Sequence, residues 1–217
     1  MDHEGLEPFF EACELASRVM NDHAVAHSWG DPSALDGFTV GGIAAHLYAA
    51  TRRFEVALDE DVAERPQVVD LPAFYGLNRV NDPGELTAGW HPLLREDAER
   101  RAAHGPEAVA ERFGAVVARL QNRLRAESPE RLIPVWTIAD GATPLRVYVA
   151  TRVVELVVHA DDLAVSVNLE ALAIPRSAAL VVLDVFVEMA RHRSGDLDVI
   201  RAFARRERAG EDALRVL

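Results

Sequence analysis

A chain of 217 residues with 49% apolar side chains can bury a full core without disulfide or metal staples. Its net charge of −12 works against nucleic acid and anionic membranes as partners. The absence of lysine removes Schiff-base chemistry and a P-loop, and a lone cysteine, Cys13, permits neither an intramolecular disulfide nor a thiolate metal cage.

The elements read as helices almost throughout. The first is expected from Leu6 to about Asp22, with Leu6, Phe9, Phe10, Cys13 and Met20 on one apolar face. Cys13 therefore reads as a buried core thiol, and thiol chemistry would need a thiol from outside the chain. A loop rich in Gly, Pro, Ser and Asp follows, HSWGDPSALDGF, and Thr39 then caps a second helix running to about Asp59. Its core face is Ile43, Leu47, Ala50 and Phe54.

Residues Glu64 to Asn81, carrying Pro66 and Pro72, read as irregular. Asp82-Pro83 is expected to cap a third segment passing Trp90 to about Ala102, which His104-Gly105 interrupts. From Pro106 the series Val109, Phe113, Val116, Val117, Leu120 and Leu124 keeps helical spacing. Leu132 to Ala142 is short and extended, with a turn at Asp140-Gly141. Thr143-Pro144 reads as a cap pair for a long helix to about Asn168, and Pro175 opens another through Ala190. A short terminal helix, Asp196 to about Arg208, is expected to pack outside as a C-terminal tail over 193–217. With no repeat, linker or second core-sized block, the expectation is one all-α domain over 1–217, a bundle with extra short helices. No apolar run is long enough to cross a bilayer, and the opening MDHEGLEPFF is acidic where a secretory leader is basic, so a cytoplasmic location is expected.

The long helix LRVYVATRVVELVVHADDLAVSVN is apolar on nearly all sides, which makes it central. Within it Arg152, Glu155, His159 and Asp162 recur at steps of three or four and form one polar stripe. Ionisable groups on a buried helix must pair with one another or bind a metal. One reading is a self-satisfied network, Arg152 with Glu155 and Asp162 with His159. The other is a divalent metal held by Glu155 and His159 one turn apart, with His46 of the second helix as third ligand. Small residues around His46 (Gly41, Gly42, Ala44 and Ala45) leave room for another helix to approach. Two imidazoles and one carboxylate leave a coordination position open, and zinc is the default ion for that set.

FTVGGIAAHL, preceded by PSALDG, resembles the N-terminal signature of the mycothiol-dependent maleylpyruvate isomerase family of DinB-like metal-binding bundles. ATRVVELVVHADDLA resembles the second signature of that family, and DVIRAFARRERAGEDALRVL the tail of many members. The resemblance implies a DinB-like four-helix bundle, metal ligation by His46, Glu155 and His159, and mycothiol as the thiol cosubstrate. It departs at Leu35-Asp36-Gly37-Phe38, where the family often has a cysteine and a tryptophan, and only residues 176–217 follow Pro175 where the prototype has a substantial C-terminal domain. Metal binding follows from the resemblance; maleylpyruvate as the substrate does not.

The expected activity is thus a metal- and thiol-dependent transferase or isomerase acting on a small electrophile. The alternative is a non-catalytic metal-binding bundle, a sensor or sequestering module. Asp162 is the candidate for orienting His159, against a solvated surface role. Arg152 is the candidate for binding a substrate carboxylate, against neutralising Glu155. Trp136 is the candidate for lining the cofactor pocket, against ordinary packing. His23 and His27 have the spacing of a surface metal pair, whereas His91, His104 and His192 read as solvent-facing.

Overall fold

Burial of one apolar stripe per helix determines the architecture. The computed structural model describes residues 3–77 and 90–205 with the isolated positions 207, 210 and 214, and residues 3, 4, 76, 77, 90 and 91 by backbone alone. Nine helices are described, α1 (His3–Met20), α2 (His23–His27), α3 (Val40–Ala57), α4 (Leu71–Leu77), α5 (Trp90–Ala102), α6 (Pro106–Leu124), α7 (Leu145–Ser166), α8 (Arg176–Ser194) and α9 (Asp196–Ala204). Three short strands accompany them: β1 (Gln67–Val68), β2 (Leu132–Pro134) and β3 (Gly141–Pro144).

Helices α1, α7, α3 and α6 form a ring in which each packs on the next, the four-helix bundle of a DinB-like fold. Their buried faces follow the expected series: Leu6, Phe9, Cys13 and Met20 on α1, and Val109, Phe113, Val116, Leu120 and Leu124 on α6. Helix α5 lies against α3, α8 packs on α1, α4 and α7, and α9 packs on α8. Val199 of α9 packs with Ala190 of α8 in a small cluster apart from the main core.

Thr39 caps α3 as expected, its hydroxyl accepting from the Gly42 amide at 2.9 Å. Glu99 of α5 adds to this cap, accepting from the Thr39 amide at 2.8 Å and from the Thr39 hydroxyl at 2.9 Å. The small residues of α3 admit neighbours, as expected, though these are single side chains. A Cβ on Gly41 would lie 2.6 Å from the Trp29 indole, and one on Gly42 would overlap the Glu99 carboxylate. The indole is held by its Nε1, which donates to the Ala102 carbonyl at 3.0 Å.

The structure departs from the sequence reading in four places. Asp22 does not end helical structure but caps α2, accepting from the Ala24 amide at 2.8 Å. The stretch read as irregular contains β1 and α4. Asp70 caps α4 through the Ala73 amide at 2.9 Å, which leaves Pro72 in the first turn, where its missing N–H costs nothing.

The segment read as extended supplies β2 and β3, as expected, and β1 joins them in a three-stranded sheet of order β1-β3-β2, with β1 parallel and β2 antiparallel to β3. Its turn uses Asp140 at φ 54°, and a Cβ on Gly141 would lie 2.6 Å from Ile138. Thr143 is not a cap. It belongs to β3 and its buried hydroxyl donates to the Val69 carbonyl at 2.8 Å, while Pro144 is the N-cap of α7. Helix α9 stops at Ala204, short of Arg208, and Arg205 is extended. The Asp82-Pro83 cap and His91 lie outside the described side chains.

Candidate metal centre

Helix α7 carries its polar stripe across the middle of the bundle, and Tyr148 extends it by one turn toward the N-terminus. Tyr148 is 2% exposed, with its ring against Phe54 of α3 and Phe74 of α4. The Arg152 guanidinium lies over that ring, 5.1 Å from its centroid. The next turns present Glu155, His159 and Asp162 toward α3, which supplies His46.

Among the described residues, His46, Glu155 and His159 form a group whose ligating atoms all lie within 4.8 Å of one another. Glu155 Oε2 is 3.6 Å from His46 Nε2 and 3.5 Å from His159 Nε2. Those separations are long for hydrogen bonds. They match the spacing of two ligands on one tetrahedral ion, about 3.4 Å for bonds near 2.1 Å. The two imidazole rings are perpendicular at 4.9 Å between centroids, so both Nε2 atoms converge on the carboxylate without stacking. Hard carboxylate oxygen and borderline imidazole nitrogen suit a divalent first-row ion, and the residues present fit one.

The far side of His159 is fixed by Asp162, whose Oδ2 lies 2.9 Å from Nδ1. A proton on Nδ1 donated to that carboxylate leaves the Nε2 lone pair facing Glu155 and His46. Asp162 is anchored through its own turn. Its carbonyl accepts from the Ser166 hydroxyl at 2.6 Å, and that hydroxyl accepts from the Ala34 amide at 2.9 Å. The loop before α3 is thereby tied to the end of α7, and it places Phe38 edge-on to His46, 5.9 Å between ring centroids.

The electrostatics divide the roles. Burial favours neutral His46 and lowers its pKa despite Glu155. Burial would raise the pKa of Glu155, yet His159, His46 and Arg152 together hold it well below the usual carboxylate range. Burial also opposes the charge on His159, but Asp162 and Glu155 outweigh it and raise the pKa to about 9. Without a metal the centre therefore holds one proton at neutral pH, on His159, in the place an ion would take.

The self-satisfied network is half formed. Asp162 pairs with His159, but no ion pair joins Arg152 to Glu155; Arg152 is part-buried and its Nε reaches the Thr151 hydroxyl at 3.3 Å. Trp136 is 42% exposed, in the turn between β2 and β3. His23, His27, His104 and His192 are exposed and belong to no metal-ligating group among the described residues.

Sequence reasoning missed Tyr75 on α4. It is 8% exposed, its hydroxyl is buried without a hydrogen-bond partner among the described residues, and Glu155 and Arg152 both act on it electrostatically. Only the Asp70 cap before Pro72 could have revealed the short helix that carries it.

No helix among the described residues is long and apolar enough to cross a membrane. Comparison with curated proteins and with solved structures finds no match. A family description does match, "Mycothiol maleylpyruvate isomerase N-terminal domain", over residues 10–164, which runs from α1 to the last turn of α7 and takes in all three candidate ligands. Spanning more than two-thirds of the sequence, that match shows that the chain belongs to the mycothiol maleylpyruvate isomerase N-terminal domain family.

Proposed function

We propose that this protein is a metal-dependent enzyme that joins a small thiol, mycothiol by family, to a small electrophile in a transfer or isomerisation reaction. The observation that carries the reading is the convergence of His46, Glu155 and His159 within 4.8 Å, with Asp162 behind His159. Zinc is the ion the donor set suits best. A divalent ion bound there supplies Lewis acidity, which favours the thiolate form of a coordinated thiol at neutral pH.

The chain's own groups do the rest. Glu155 brings one negative charge and the two imidazoles none, so the open position stays net positive and favours an anionic ligand. Asp162 fixes the tautomer and ring angle of His159. Arg152 brings a cation with no carboxylate partner among the described residues, suited to a substrate carboxylate. The assignment of Trp136 to the thiol cofactor rests on its exposed indole alone. Cys13 cannot serve as the thiol. It is 1% exposed, and burial followed by the charge of Glu14 pushes its pKa far up.

Elemental analysis of untagged protein beside His46→Ala and Glu155→Ala tests the centre. About one equivalent of metal is expected in the parent and little in either variant. Consumption of mycothiol with a panel of small electrophiles then tests the chemistry. A metal-loaded protein that consumes no thiol would leave a binding module, and a parent that takes up no zinc would end the metal reading.

A further inference from the structure

We infer that Phe38, held in place by Arg95 of α5, is a positioning residue for the candidate ligand His46. This rests on the metal reading proposed above and deepens it: the two imidazoles are oriented by different means, His159 by a carboxylate and His46 by an aromatic ring.

An imidazole that ligates a metal has to be held at a fixed ring angle, and the usual device is a hydrogen-bonding group on its second nitrogen. His159 has that device in Asp162, 2.9 Å from Nδ1. Among the described residues Glu155 alone of the carboxylates lies within ion-pair distance of His46, and it faces Nε2. Two rings pack on the His46 imidazole instead. His159 is perpendicular to it at 4.9 Å between centroids, and Phe38 is edge-on at 5.9 Å. Edge contacts of this kind favour one ring angle over others, because the positive edge of one ring meets the negative face of the next. Since His159 is itself a candidate ligand, Phe38 is the supporting member of the pair.

Phe38 is in turn fixed from α5. The Arg95 guanidinium lies over its ring, 5.8 Å from the centroid. The same guanidinium fills the space beside Gly37, where a Cβ would come within 2.6 Å of it. Two further contacts join α5 to this loop. Glu99 accepts from the Thr39 amide at 2.8 Å, and the Ala102 carbonyl accepts from Trp29 Nε1 at 3.0 Å. Arg95, Glu99 and Ala102 recur at steps of four and three, so one face of α5 holds the loop from Trp29 to Thr39. Ala34, midway along that loop, bonds to Ser166 of α7. Helix α5 carries none of the three candidate ligands, yet through Arg95 and Phe38 it sets the ring angle of one of them.

The test titrates full-length protein with cobalt(II), whose visible d–d bands report ligand geometry while competition with a chelator gives affinity. Phe38→Leu removes the ring and keeps an apolar side chain. It should weaken cobalt binding by about three- to tenfold, as loss of an aromatic contact implies, and shift the d–d bands. Phe38→Tyr, which keeps the ring, should retain the affinity and bands of the parent. Arg95→Gln should weaken binding by about two- to fivefold in the parent and by nothing further in Phe38→Leu. Its bands should shift in the same direction, so this variant carries the test alone should Phe38→Leu fail to fold. Weaker binding with unchanged bands would report a loosened fold and overturn the inference. So would a Phe38→Leu variant that binds cobalt as the parent does, or Arg95→Gln losses that add in full to those of Phe38→Leu. In each of these cases the metal reading stands. A parent that takes up neither cobalt nor zinc would overturn both.

Discussion

At the scale of single residues, the candidate centre is shaped by the different partners of the two His159 nitrogens. Asp162 holds Nδ1, and Nε2 faces the other two ligands. Asp162→Asn should lower metal affinity by about 10–100-fold, the usual effect of losing such a carboxylate, without removing a ligand. Competition against a chelator of known affinity would measure it.

The same residue sets a pH dependence. With its pKa raised to about 9, His159 keeps a proton on the metal-facing side at neutral pH, while Glu155 is already ionised and His46 already neutral. Binding an ion must therefore release that one proton. Affinity should rise by about tenfold per pH unit up to about pH 9 and flatten above it. In Asp162→Asn the break should move to lower pH, because one of the two groups raising the value is gone. A flat profile from pH 7 to 9 would contradict the proton assignment.

The convergence of the candidate trio was legible because helical periodicity alone places Glu155, His159 and Asp162 on one stripe, and His46 on the core face of its own helix. Tyr75 was not legible in the same way. A seven-residue helix is too short for a periodic pattern, and Pro66 before it and Pro72 in its first turn read as loop.

At the scale of elements, the start of α3 depends on close packing more than on helix propensity. Gly41 and Gly42 are poor helix formers, yet Trp29 and Glu99 occupy the space their side chains would take. Gly41→Ala, favourable by propensity, should here destabilise the fold by roughly 1–3 kcal/mol through overpacking. It should also weaken metal binding, since His46 lies five residues along the same helix. Chemical denaturation of the metal-free protein would show the first effect and chelator competition the second.

Cap residues and turn pairs read from sequence held where the partner was local, as at Thr39 and Asp140-Gly141. They failed where the partner was distant. The Thr143 hydroxyl bonds to Val69, on a strand too short to signal itself, and no local rule pairs those positions.

At the scale of the whole molecule, one buried cluster draws on helices from α1 to α8, and we propose that the elements sharing it fold as one unit. A single cooperative unfolding transition is expected. Adding a chelator should lower its midpoint, and raising zinc should lift it progressively, by about 2.7 kcal/mol of stability at a hundredfold excess over the dissociation constant. Calorimetry at several zinc concentrations would check this; a midpoint indifferent to zinc would mean that the ion, if bound, binds folded and unfolded chains alike.

The candidate ligands sit on two helices, α3 and α7, at positions separated by more than a hundred residues of sequence, with α4, α5, α6 and the sheet between them. On the proposed metal reading, an ion shared by His46 and the α7 pair would act as a reversible cross-link that closes a long loop, drawing its strength from the chain being folded already. Coupling of that kind runs both ways. Any lesion in the α3–α7 contact, however far from the metal, becomes a lesion in metal affinity, so zinc occupancy in a series of core variants would serve as a gauge of how well the bundle is closed.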